Sequence, residues 1–95
     1  MPELHFNVRW PDGSVERCYS PSRSVKDYLE AGASYPLHDF VGRSRRALEL
    51  AGERVRMRRG FACSGAAEQL EQIEARARSF HGTAGARVTV MGFEG

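Results

Sequence analysis

"LHFNVRWPDGSVERCYS", Leu4 to Ser20, decides the class of this fold. Phe6, Val8 and Trp10 alternate with His5, Asn7 and Arg9, the two-residue period of a strand whose faces meet different surroundings. Pro11-Asp12-Gly13 then reverses the chain: proline presets φ for the first turn position, aspartate bonds its own backbone, and glycine accepts positive φ. The pattern predicts a β-hairpin. A type I turn closed by a glycine bulge sets Trp10 across from Ser14, Val8 from Glu16 and Phe6 from Cys18, and proline in the first place favours it. A two-residue Asp-Gly turn would slip the pairing by one and send Cys18 to the other face.

Outward from the hairpin, "SPSRSVKDYLEAGASY" is punctuated by serine, proline and glycine. Ser24 and Asp27 have the spacing of a short capping box, which predicts one or two helical turns through Leu29, stopped by Gly32. From Pro36 to Arg59, Leu37, Phe40, Val41, Ser44, Leu48, Ala51 and Val55 recur at three- and four-residue intervals, the stripe of an amphipathic helix. Pro36 suits its first turn, and Gly60 suits a left-handed stop. Ala66, Leu70, Ile73, Ala77 and Phe80 mark a second helix over Ser64 to Phe80. "HGTAGA" breaks the chain, and "RVTVMGF" reads as a last strand with Val88 and Val90 on one face. The expectation is an α+β fold in β-β-α-α-β order, with a three-stranded sheet starting from the N-terminal hairpin and two main helices on one sheet face. A sheet covered on one side leaves a face that is wet or pairs with a second copy, so a homodimer is open.

Ninety-five residues fit one domain, residues 1–95, with one modest core. A hydrophobic fraction of 41% and a charged fraction of 27% are ordinary. No apolar run approaches the roughly 20 residues that span a bilayer, so no membrane partner is expected. Met1-Pro2-Glu3-Leu4 enters the strand pattern without the basic and apolar regions of a secretory signal, so the expected location is the cytoplasm. Cys18 and Cys63 are then expected as thiols. The net charge is +2, yet seven arginines fall between Arg43 and Arg59 against Glu49 and Glu53. Thirteen arginines against the single Lys26 also fit a GC-rich coding bias.

Cys63 stands just before the predicted second helix, where unpaired N–H groups and the helix dipole favour a thiolate. The alternative is a small buried hydrophobe beside Ser64 as the N-cap. A nucleophilic cysteine needs a base within reach, and the spacing of His5, His38 and His81 supplies none. No CxxC or HxxxH spacing predicts a metal site, and no GxGxxG or P-loop predicts a nucleotide, so no cofactor is expected. Arg43, Arg46 and Arg54 avoid the apolar stripe and, with Arg58, are candidates to follow a phosphate backbone. Their alternative is a solvated face with pairs such as Arg46–Glu49 and Glu53–Arg56. Trp10, Tyr19, Tyr28 and Tyr35 are candidates to line a binding pocket at the sheet edge or, as large side chains in a small domain, to serve the core.

Three stretches together, "HFNVRWPDGSVERCYSPS", "GASYPLHDFVGRSRRALELAGERVR" and "GFACSGAAEQL", resemble a family of small bacterial nitrogen-starvation-response proteins. The resemblance implies a gene cluster holding a nitrilase-type hydrolase, a radical S-adenosylmethionine protein, an acetyltransferase-like protein and a flavoprotein, linked to nitriles or cyanide as nitrogen source. It assigns no catalytic residue. With no catalytic constellation in the pattern, the expected role is that of a non-enzymatic accessory or regulatory protein. It would bind another product of that cluster, with Trp10, Cys18, Tyr19, Tyr28, Tyr35 and Cys63 as candidate contact residues. Two other classes stay open: a thiol-dependent small enzyme or carrier using Cys63, and a nucleic-acid-binding regulator using the arginine-rich helix.

Overall fold

In the computed structural model, which describes residues 3–60 and 64–94 and at 58 and 59 the backbone alone, the hairpin forms in the register that the proline favours. Strand β1, Leu4–Arg9, pairs antiparallel with β2, Val15–Ser20, with Val8 opposite Glu16 and Phe6 opposite Cys18. The Trp10 N–H donates to the Ser14 carbonyl at 2.8 Å, and the Gly13 N–H to the Trp10 carbonyl at 2.8 Å. Gly13 takes the positive φ of 87° that the turn needs. Asp12 Oδ1 accepts from the Ser14 N–H at 2.9 Å and from its hydroxyl at 2.6 Å. These bonds, and more weakly Arg76, hold the Asp12 carboxyl below its ordinary pKa.

The sheet has four strands where three were expected. β3, Ser34–Pro36, adds to the outer side of β4, Arg87–Glu94, and β4 pairs with β1, giving the antiparallel order β2-β1-β4-β3. Around β3 the Gly32 N–H donates to the Val90 carbonyl (2.7 Å), the Val90 N–H to Ala33 (2.8 Å) and the Leu37 N–H to Ala86 (3.1 Å). Three residues are too few to show an alternation, and Pro36 argues against a strand except at an edge, where its missing N–H leaves no ladder bond unmade. Pro36 therefore ends a strand, with φ −54° and ψ 148°, and does not open the helix.

Helix α1, Leu37–Arg59, stops at Gly60 in the left-handed region at φ 79°, and α2, Ser64–Arg78, gives way to turns two residues before Phe80. The cap of α2 and Cys63 both lie outside the described residues. Between β2 and β3 the expected helical turns are a 3-10 segment, Arg23–Asp27. Its cap is Ser22, whose hydroxyl accepts from the Ser24 N–H at 3.2 Å, in place of the expected Ser24–Asp27 box.

Leu4, Phe6, Val8 and Trp10 project from one face of β1 into a core that also takes Cys18, Val88 and Val90 from the sheet. Phe40, Ala47 and Leu48 close it from α1, and Ile73 and Ala77 from α2. Trp10 lies at the centre, stacked on Phe80 with ring centroids 6.0 Å apart and edge-on to Phe40 at 5.6 Å. Its indole N–H donates to Glu16 Oε1 at 2.9 Å. The outer edge of β2 is partly closed by α2, since Gln69 Oε1 accepts from the Tyr19 N–H at 2.9 Å.

Ser44 lies fully buried in the apolar stripe of α1, and its hydroxyl has no hydrogen-bond partner among the described residues. A buried hydroxyl without a partner costs free energy, and alanine is the better helix former. Ser44→Ala should therefore raise the unfolding free energy by about 0.5–1.5 kcal/mol in urea titrations. A loss of stability would mean that the oxygen has a bonded role.

Candidate functional site

With both helices on one side, no described helix covers the other face of the sheet. Alternation puts His5, Asn7 and Arg9 of β1 there, with Val15, Arg17 and Tyr19 of β2 and Arg87 and Thr89 of β4. Among the strand residues, three guanidinium groups thus stand on this face against one carboxylate, Glu94. That carboxylate is already engaged: Glu94 Oε2 accepts from the Asn7 amide at 2.7 Å and from Arg17 Nε at 3.3 Å. The Asn7 bond first, then the Arg17 charge, hold the Glu94 carboxyl below its ordinary pKa. Arg87 donates to Ser34 Oγ at 3.0 Å and to the Ser34 carbonyl at 2.8 Å, which leaves its charge unneutralised. His5 and Tyr19 meet edge to face at 5.7 Å, and Val15 is 55% exposed. In β4, Met91 is the extra residue of a bulge opposite Asn7 and Val8, and is 46% exposed.

The four aromatic candidates do not converge on one pocket. Trp10 is buried in the core, and Tyr19 is on the open face. Arg43 links the Tyr28 backbone to the Tyr35 ring. Arg43 Nη1 donates to the Tyr28 carbonyl at 3.0 Å, its Nε donates to Asp39 Oδ2 at 3.0 Å, and the guanidinium lies 4.6 Å from the centre of the Tyr35 ring. The Tyr35 hydroxyl accepts from the Glu30 N–H at 3.0 Å. This cluster fixes the chain between the 3-10 segment and α1.

Cys18 faces the core and is fully buried, and desolvation, aided by the Glu16 charge, pushes its thiol up to about 12. It therefore holds no thiolate near neutrality. Of the four arginines considered for a phosphate backbone, Arg43 is committed to Asp39, Tyr28 and Tyr35. Arg46 and Arg54 are exposed, and the side chain of Arg58 lies outside the described residues. Among the ion pairs of the described residues, the expected Arg46–Glu49 and Glu53–Arg56 do not occur. The ion pairs of α1 run instead from Arg43 to Asp39 and from Arg45 to Glu74 of α2 (2.6 Å). No group of three potential metal ligands occurs among the described residues, and none of the described helices is long and apolar enough to cross a membrane.

The helical pattern points to the arginines of α1 and not to Arg9, Arg17 and Arg87. These occupy polar positions of three separate strands, and only the strand order brings them onto one surface. The available signal was local: each stands beside an apolar residue that alternation sends to the core.

No curated protein and no solved structure matches the chain. A family model described as "Nitrogen starvation-induced protein NitG" matches residues 5–93, so the chain belongs to that family.

Proposed function

We propose that this member of the nitrogen starvation-induced family is an accessory or regulatory protein that works by holding another protein against the uncovered face of its sheet. The partner carries an acidic surface. By the resemblance, it is a product of the nitrilase-containing cluster, and the encounter takes place in the cytoplasm. The observation that carries this reading is the charge of the open face, Arg9, Arg17 and Arg87 against the already engaged Glu94. A second copy of the same face would set like charges against each other, so the reading favours an acidic partner over self-association. Val15 and Met91 add exposed apolar surface of the kind an interface core uses.

Co-expression with the nitrilase and the radical enzyme of the cluster tests the proposal. The wild-type chain should co-purify with one of them as a defined complex. The triple reversal Arg9→Glu, Arg17→Glu, Arg87→Glu should weaken that complex by about 100-fold or more while leaving the thermal midpoint within a few degrees. A complex indifferent to the reversal, or a chain that binds neither protein, removes the proposal.

A further inference from the structure

A groove of about 450 Å³ runs between α1 and α2 and onto the turn after α2, and no strand contributes to it. Leu37, Val41 and Ala77 form its apolar floor. Its rim carries Arg45, Arg78 and two imidazoles, His38 and His81, all exposed to solvent. Glu74 takes up Arg45 at 2.6 and 3.1 Å, and this contact holds the Arg45 guanidinium above its ordinary pKa. Among the described residues, the Arg78 guanidinium and both imidazoles make no hydrogen bond or ion pair. One committed cation and one uncommitted cation therefore border an apolar cleft of small-molecule size.

Gly42 is the second observation. It lies inside α1 with ordinary helical backbone and lines the groove. Glycine in a helix interior is destabilising relative to alanine, so its presence asks for a reason. Close packing supplies one at Gly52, where a Cβ would touch the Cβ of Ala66 at 3.7 Å. At Gly42 a Cβ would meet nothing within 4 Å. What a side chain there would fill is the groove itself.

We propose that this groove is a binding site for a small organic monocarboxylate, its hydrocarbon part on Leu37, Val41 and Ala77 and its carboxylate on the Arg78 guanidinium. The planar fork of arginine matches a carboxylate, and the two imidazoles supply further donors at the rim. An inorganic phosphate would leave the apolar floor uncovered and bring more negative charge against Glu74, so the organic acid is the better fit. The site is independent of the open sheet face, since none of its residues lies on a strand.

The test is a nuclear magnetic resonance titration of the full chain with butyrate and, in parallel, with inorganic phosphate. Butyrate has about six heavy atoms, so saturation in the millimolar range is expected. The shifts should be confined to the amides of residues 37–45 and 74–81 and to the His38 and His81 imidazoles. Arg78→Gln should weaken binding about tenfold or more. Gly42→Leu should abolish it while leaving the thermal midpoint unchanged or higher, which separates a filled groove from a damaged fold. Shifts that grow without saturating, a Gly42→Leu protein that binds as well as wild type, or saturation by phosphate and not by butyrate would overturn the proposal.

Discussion

Trp10→Ala should lower the unfolding free energy by about 3–5 kcal/mol, the range for removing a large aromatic ring from a closed core. Trp10 is 1% exposed, and it joins three parts of the molecule. It leaves the end of β1, stacks on Phe80 beyond α2 and meets Phe40 of α1 edge-on, while its N–H satisfies Glu16 of β2. The Arg76 guanidinium lies 5.7 Å from the ring centre, donates to Ser14 Oγ and pairs with Asp12 at 3.4 Å, so the ring also seats the hairpin turn on α2. A domain of this length has about 5–14 kcal/mol in total, so the variant should have lost a large share of it. Urea unfolding followed by circular dichroism measures the effect, because the substitution removes the only tryptophan fluorophore. Trp10→Phe keeps most of the apolar volume but leaves Glu16 without the indole N–H, and should cost about 1–2 kcal/mol. A cost below about 1 kcal/mol for alanine would contradict the central place given to this ring.

The second large effect is chemical. With its thiol pushed up to about 12, Cys18 in the folded chain should react with iodoacetamide at pH 8 roughly a thousandfold more slowly than an ordinary cysteine, from thiolate fraction alone. Burial slows it further. Peptide mapping by mass spectrometry distinguishes Cys18 from Cys63, and urea should bring Cys18 to the ordinary rate. Rapid native labelling at Cys18 would refute the buried assignment. The same shift links stability to pH. The folded thiol keeps its proton to higher pH than the unfolded one, so the stability it contributes is intact below the ordinary value of 9.0 and is lost as pH rises towards about 12. About 1 kcal/mol should be gone by pH 10, and Cys18→Ala should flatten that alkaline decline.

Much of the architecture was legible because local chemistry points one way. Pro11-Asp12-Gly13 selects the turn, the turn sets the register, and the register puts Cys18 on the core side opposite Phe6. Over 23 residues the helical period of α1 has ample length to show itself, and Gly60 marks its end. β3 was not legible, because its three residues form a strand only by pairing with Thr89, Val88 and Arg87, more than fifty positions away. Ser24 offered a cap by spacing, yet Ser22 competes from two residues earlier and takes the role. The candidate surfaces divide in the same way. Burial of Trp10 follows from alternation, whereas the joining of Arg9, Arg17 and Arg87 is a product of strand order, and the groove beside Gly42 is a product of how two helices lean together.

The position of β4 between β1 and β3 bears on how the chain is made. Its pairing partner β1, Leu4–Arg9, leaves the ribosome well before β4, Arg87–Glu94. Until residues 87–94 emerge, the nascent hairpin has a bare inner edge, and Phe6, Val8 and Trp10 lack the valines that flank them in the finished molecule. Such an exposed edge invites pairing with other chains, so a cell that turns this protein out quickly must either delay the hairpin or shield it until β4 has emerged.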